Sequence, residues 1–215
     1  MPKIVVLIGP PGAGKGTQSR LLSDHFHIPQ ISTGDILREM AKMETKLAIE
    51  IRAAQESGQL VSDEILSSVV QTRTMQNDCD GGYILDGYPR TASQTRTLEK
   101  LARGQAKEIC LLNIAISRES LVKRLTGRRT CSKCGEIFNI YLRPPRQENI
   151  CDVCGGKLLQ RADDRPDTVA TRLNAYEKMT APLIEYFRAS GRLLAVDGEH
   201  PVDEIFSNIR LALEN

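Results

Sequence analysis

The run Lys3-Ile4-Val5-Val6-Leu7-Ile8 leads straight into Gly9-Pro10-Pro11-Gly12-Ala13-Gly14-Lys15-Gly16-Thr17, and this junction decides the fold. Five consecutive apolar residues without polar alternation suit a strand covered on both faces, as in a parallel sheet. The glycines permit a tight turn, and a helical stretch with Leu21 and Leu22 on its apolar side follows to about His25. Strand, glycine-rich loop and helix together form the context of a phosphate-binding loop. Its exposed amides and helix N-terminus favour an anion, and Lys15 adds a point charge for the outer phosphates. The general motif has Ser or Thr directly after the lysine; here Gly16 stands there and Thr17 follows one place later.

Working outward, Ile28 to Ser32 reads as a second strand, and 33–58 has helical composition with Gly58 as its stop. Ser62 caps a further helix to about Asn77. Gly81-Gly82 introduces the strand Tyr83 to Asp86, and a helix from Ser93 to Arg103 follows. Ile109 to Ile114 is another buried-type strand, and Ser117 caps a helix with Leu121, Val122 and Leu125 on one face. Composition shifts over 127–164, which carries paired cysteines, Pro144-Pro145 and many arginines and reads as a small inserted domain. Pro166 opens a long helix through Val169, Leu173, Tyr176, Leu183 and Phe187. Leu193 to Val196 is the last strand and Pro201 to Leu213 the last helix. Alternation of strands and helices predicts a three-layer α/β fold around a five-stranded parallel sheet.

The chain has 215 residues, with 29 basic and 27 acidic side chains giving a net charge of +2. That balance excludes nucleic-acid or membrane binding driven by overall charge. Aromatic residues are only 4%, too few for a base-stacking strip. The apolar run at the start falls far short of the ~20 residues that span a bilayer. Gly9-Pro10-Pro11-Gly12 also interrupts it where the core of a signal peptide would continue, so the sequence reads as cytoplasmic.

Cys131/Cys134 and Cys151/Cys154 are two Cys-x-x-Cys pairs with 16 residues between them. This is the spacing of a structural zinc site, in which four thiolates fill a tetrahedral ion and leave no open position; iron suits the same ligands. Gly135 and Gly155 follow the pairs as knuckle-turn residues. Such a metal would hold together a segment with few apolar residues of its own. Cys79 and Cys110 read as ordinary buried residues. Asp86, ending an apolar strand, stands where a carboxylate beside a phosphate loop holds magnesium, directly or through water.

Gly9 to Thr17 resembles the phosphate loop of nucleoside monophosphate kinases, in which glycine follows the lysine. Gln30-Ile31-Ser32-Thr33-Gly34-Asp35 and Leu85-Asp86-Gly87-Tyr88-Pro89-Arg90 are similar to two further signatures of adenylate kinases. Gly127-Arg128-Arg129, Arg161 with Asp163-Asp164, and Arg172 complete the set in order, with Tyr88 in place of the commoner Phe. The cysteine region resembles the long zinc-carrying lid of the bacterial type.

The resemblance implies magnesium-dependent transfer between ATP, AMP and two ADP, serving adenine nucleotide balance. It implies a core of 1–31, 62–126 and 165–215, an AMP-binding flap over 32–61 and a lid over 127–164. Gly12, Ala13, Gly14, Lys15, Gly16 and Thr17 would hold the ATP phosphates, with Arg124 and Arg128 reaching them as the lid closes. Ile137 and Phe138 match lid positions covering the ATP base, and His200 matches a backbone contact to it. Thr33, Arg38, Gln59, Leu60, Val61, Gly87, Tyr88, Pro89 and Arg90 would form the AMP site, with Gln94 reading the adenine edge. Arg161 and Arg172 match the arginines clamping AMP and the transferring group. The catalytic set is then Lys15, Asp86, Arg90, Arg124, Arg128, Arg161 and Arg172, in a monomer that binds no nucleic acid and no membrane.

This reading is chemically coherent. A phosphate acceptor is already largely ionised near pH 7, so no general base is needed. Alignment and charge neutralisation are needed, and arginine forks grip phosphate oxygens two at a time. Two mobile flaps would keep water from the reacting group. Within the class, a kinase for another nucleoside monophosphate, or one using GTP as donor, is the alternative. A nucleic-acid-binding zinc ribbon is the alternative outside it.

Overall fold

The computed structural model describes residues 3–214. Strands β1 (Lys3–Ile8), β2 (Gln30–Ser32), β3 (Gly82–Asp86), β4 (Glu108–Ala115) and β8 (Leu193–Asp197) form one parallel sheet in the order β2-β3-β1-β4-β8. β1 lies at its centre, as its uninterrupted apolar run requires. Ile4, Val6 and Ile8 enter one buried cluster, and Val5 and Leu7 enter the other on the opposite face. Burying each such side chain contributes about 1.5–3 kcal/mol, so a charge at Val6 breaks the sheet at its middle.

Helices cover both faces: α1 (Lys15–Phe26), α2 (Thr33–Met40), α3 (Lys46–Ser57), α4 (Asp63–Thr74), α5 (Ala92–Gly104), α6 (Arg118–Thr126), α7 (Pro166–Ala175), α8 (Ala181–Ala189) and α9 (Val202–Glu214). From α2 through α6, each helix starts at a Ser or Thr whose hydroxyl accepts an amide of the first turn. α1 is different. Its cap is Gly14, at φ 96°, with no side chain on the amides and no acid in the first turn. The Thr17 and Gln18 amides donate to Gly14 O, which leaves those of Lys15 and Gly16 for an anion.

The structure shifts several sequence-based boundaries. β2 begins at Gln30, because Pro29 has no amide to donate, although its carbonyl accepts from Ile84 N at 2.9 Å. The helical stretch 33–58 is two helices, broken where Thr45 caps α3. α4 stops at Thr74, and a 3-10 turn at Asn77–Cys79 follows. The long helix from Pro166 is interrupted by a π turn, Tyr176–Thr180, in which Ala181 N–H donates to Tyr176 O. Pro182 in the first turn of α8 has no amide for the carbonyl four residues back, so the ladder widens there. On α6 only Leu121 and Leu125 face the core; Val122 is 42% exposed.

The inserted segment forms its own three-stranded antiparallel sheet, β5 (Arg128–Cys131), β6 (Ile137–Asn139) and β7 (Leu158–Leu159), in the order β6-β5-β7. Its core is Cys131, Cys151, Phe138 and Leu158, with Cys154 packed against them. Two apolar side chains cannot support a fold of this size, and the cysteines occupy the place of the missing core. No helix among the described residues is long and apolar enough to cross a membrane.

Candidate active site

The site lies beyond the carboxyl ends of the parallel strands, where open α/β sheets bind ligands. β1 delivers the phosphate loop there, and β3 delivers Asp86, Gly87 and Arg90. Lys15 Nζ curls back onto the loop, donating to Gly9 O at 2.8 Å and Pro10 O at 2.9 Å. Burial pulls its pKa down to about 8; Asp86 pushes it back up, while Arg90, Arg172 and Arg128 add to the fall. Burial raises the Asp86 carboxyl, against the pull of Lys15 and Arg90. Its carboxylate makes no hydrogen bond among the described residues and sits 3.4 Å from where a Cβ on Gly16 would lie. A carboxylate with free lone pairs beside a phosphate loop fits a magnesium site, and the small residue at 16 leaves room for one.

Arginines surround this centre. Arg90 Nε donates to Gly87 O at 2.7 Å, and burial lowers its pKa, with Arg172 next in effect. Arg124 Nη2 donates to Gly198 O at 2.8 Å, and its Nη1 lies 3.9 Å from a Cβ built on Gly14, so α6 brings it against the phosphate loop. Arg128 grips Asp164 with both arms, Nε to Oδ2 at 2.7 Å and Nη2 to Oδ1 at 2.5 Å. Arg172 Nη1 reaches Asp164 Oδ1 at 2.9 Å and Asp163 Oδ2 at 3.1 Å. Arg161 Nε donates to Thr130 Oγ1 at 3.1 Å; burial, then Arg128 and Arg38, bring its pKa to about 10. Arg38 donates to Asp35 Oδ1 at 2.5 Å. Arginines from the inserted segment, α2, α7 and the core thus share one electrostatic environment with Lys15. The inserted segment also touches α1 directly, through Arg20 Nη1 to Glu136 Oε2 at 3.0 Å.

Other sequence-predicted residues are placed less simply. Thr33 is fully buried, its hydroxyl turned onto Asp86 O at 3.2 Å and Gly87 O at 3.1 Å. Gly87, at φ 82°, has no room for a side chain: a Cβ would lie 2.8 Å from both Arg90 Nη2 and Thr33 Oγ1. Tyr88 is buried, its hydroxyl donating to Gln94 O at 3.2 Å. Gln94 is fully buried, with both ends of its amide engaged by protein groups. Val61 is buried, Leu60 half-buried and Gln59 exposed at the end of the 32–61 segment. Phe138 is buried in the core of the inserted segment, with the Arg143 guanidinium 5.0 Å from its ring centroid. His200 is exposed, its imidazole between Asp197 and Glu204. His25 pairs with Glu214 and His27 is exposed.

The four paired cysteines converge as their spacing predicts. Their sulfurs all lie within 4.8 Å of one another, with Cys131–Cys154 at 3.5 Å and Cys134–Cys151 at 3.6 Å. These separations are far longer than an S–S bond of about 2.05 Å and suit a tetrahedral ion with bonds of about 2.3 Å. Gly135 and Gly155 close the two knuckles, their amides donating to Cys131 O at 3.1 Å and Cys151 O at 2.9 Å. Of the remaining thiols, Cys79 is buried and Cys110 half-buried.

Two residues of the site carry more than their sequence context suggests. Asp164 reads there as half of an acidic pair near the end of the insert, yet it is the buried anchor of two arginines. Asp63 reads as an ordinary first-turn acid of α4, yet it receives both Thr91 Oγ1 at 2.8 Å and Gln94 Nε2 at 2.7 Å. Local sequence does not carry the signal, because Thr91 and Gln94 are distant from Asp63, and Arg128 from Asp164, along the chain.

Arg90, Arg172 and Arg128 surround Lys15 at the phosphate loop. That is the design of a phosphate-loop kinase, which neutralises and aligns phosphoryl groups. The family model for adenylate kinase matches residues 7–192. The chain is 44% identical over 207 residues to the adenylate kinase of Bacillus licheniformis, covering 96% of this chain and 95% of that one. It is 46% identical over 206 residues to the adenylate kinase of Clostridium botulinum Loch Maree, covering 95% of each. It is 44% identical over 210 residues to that of Caldicellulosiruptor saccharolyticus, covering 97% and 98%. The chain belongs to the adenylate kinase family.

Proposed function

We propose that this chain catalyses the reversible transfer of the terminal phosphoryl group of ATP to AMP, giving two ADP and maintaining adenine nucleotide balance. The observation that carries this reading is the convergence of Arg90, Arg128 and Arg172 on the electrostatic environment of Lys15. So many cations around one lysine, without a general base, suit two polyphosphate ligands meeting end to end.

The uncapped N-terminus of α1 and Gly12 to Thr17 hold the ATP phosphates, with Lys15 moving from its carbonyls onto them. Arg124 and Arg128 neutralise the donor side, and Arg161 and Arg172 bridge donor and acceptor. Arg38 and Arg90 hold the AMP phosphate, and Thr33, Gly87 and 59–61 shape its pocket, with Gln94 reading the base. Asp86 would hold magnesium, which when bound supplies charge neutralisation on the phosphates. Asp164 releases or re-aims its two arginines toward phosphate when substrates enter. The four cysteines would hold zinc as a structural ion that stiffens the lid. The 127–164 lid and the 32–61 flap close over the nucleotides and exclude water. We read the protein as a cytoplasmic monomer with no nucleic-acid partner; four unbridged thiols in Cys-x-x-Cys pairs suit a reducing compartment.

Steady-state turnover with ATP and magnesium, offering AMP, CMP, UMP and GMP separately, tests the reading. AMP is the expected acceptor by a wide margin. Preferred turnover of CMP or UMP would keep the phosphoryl chemistry but overturn the assignment of the acceptor pocket.

A further inference from the structure

The two ends of the Gln94 side-chain amide have different chemical neighbours. Oε1 accepts from the Arg90 backbone N–H at 2.8 Å, and Nε2 donates to Asp63 Oδ1 at 2.7 Å. The second Asp63 oxygen accepts from Thr91 Oγ1 at 2.8 Å, and Thr91 Oγ1 in turn accepts from Gln94 N–H at 3.2 Å. A backbone N–H can only donate and a carboxylate can only accept. Chemistry therefore fixes which end of this amide is oxygen and which is nitrogen. Turning it over would set Nε2 against an N–H and Oε1 against a carboxylate, two repulsive contacts in a buried place.

We propose that Asp63 is a specificity-determining positioning residue. By receiving Nε2, it locks the Gln94 amide in one orientation and so selects a 6-aminopurine acceptor over a 6-oxopurine. This rests on the reading above that Gln94 meets the acceptor base. The amide keeps one N–H and one oxygen lone pair beyond those used by Asp63 and Arg90. Under that reading the oxygen would meet the base's C6 substituent and the nitrogen its N1. That order complements an amino group at C6 with an acceptor at N1. A 6-oxo base presents the reverse, an acceptor at C6 and a donor at N1. A freely turning glutamine would serve either base equally; a locked one rejects the second by repulsion as well as by lost contacts. Because the amide is fully buried, a base reaches its free edge only when the groups that cover it move. Asp63 stands just beyond the end of that segment, at the first position of α4, so the lock also ties the flap's boundary to the start of α5.

The test compares AMP with IMP, which differs from AMP only in its 6-oxo group and N1 proton. kcat/KM is measured for each acceptor, from initial ATP consumption with magnesium, in wild type, Gln94→Ala, Asp63→Asn and Asp63→Ala. The quantity read is the IMP/AMP ratio within one preparation, so partial loss of folded protein cancels. A merely structural Asp63 would lower both acceptors alike. The expected result is a ratio raised about tenfold in Asp63→Ala, the factor that one net hydrogen bond carries, and raised also in Gln94→Ala, while Asp63→Asn, whose amide oxygen still accepts from Nε2, keeps the wild-type ratio. A raised ratio in Gln94→Ala with an unchanged ratio in Asp63→Ala would overturn the lock and leave the Gln94 reading standing. An unchanged ratio in Gln94→Ala would overturn the reading of the base, and the lock with it.

Discussion

Replacing Asp164 by Asn changes one atom of a fully buried side chain and removes the charge that anchors two arginines. The wild-type carboxylate accepts three bonds, two from Arg128 and one from Arg172. An asparagine presents one oxygen and one NH2, so whichever way it turns, an N–H of an arginine meets an N–H. A charge-assisted bond is worth about 1.5–3 kcal/mol, and opening a buried ion pair from one side costs about 3–5 kcal/mol. We take about 3 kcal/mol as the loss. For a chain of this length that lowers the melting temperature by about 6–12 °C. The same change frees Arg128 and Arg172 from their alignment, and turnover with ATP and AMP falls about 100-fold if 2.7 kcal/mol of that order reaches the transition state. Thermal melting by circular dichroism and initial-rate ADP formation read the two effects separately. A variant that melts within about 2 °C of wild type and keeps its kcat would refute the reasoning that Asp164 organises the arginine cluster.

Further outcomes follow from the same geometry. Lys15, held down to about 8 by burial, is charged below that pH and loses its proton above it. kcat/KM for ATP, which reports the free enzyme, therefore falls above about pH 8, while kcat holds to higher pH because bound phosphates restore the charge; a kcat/KM flat to about pH 9.5 contradicts this. Stripping the metal with a chelator removes the main support of a lid core that has only Phe138 and Leu158 besides its cysteines. Limited proteolysis should then cut within 127–164 and turnover should vanish, while the α/β core keeps its far-ultraviolet circular dichroism. Gly87→Ala places a Cβ 2.8 Å from Arg90 Nη2 and Thr33 Oγ1 at a φ of 82°. A cost of about 1–3 kcal/mol is expected, seen as a drop of tenfold or more in kcat/KM for AMP.

The fold was legible where one residue type settles a local question. The unbroken β1 run predicted a parallel strand covered on both faces, Gly58 ended a helix, and Ser62 and Ser117 capped theirs. The cysteine spacing foretold the four converging sulfurs. What escaped depends on contacts across the chain. The π turn before Pro182 reads as continuous helix because the apolar spacing carries through it, and only the missing proline amide marks the break. The motif at Phe138 carries no information about what its ring packs against; in the fold it is one of two apolar side chains completing a cysteine core. Asp63 and Asp164 resemble ordinary helix-end acids; Thr91 and Gln94 lie 28 and 31 residues from Asp63, and Arg128 lies 36 residues from Asp164.

The most direct test of the central claim supplies ADP and magnesium alone and follows the nucleotides by phosphorus resonance. The account predicts ATP and AMP appearing in equal amounts, at a rate lost in Lys15→Ala. Release of inorganic phosphate in place of ATP, or ATP formation that survives Lys15→Ala, would contradict it.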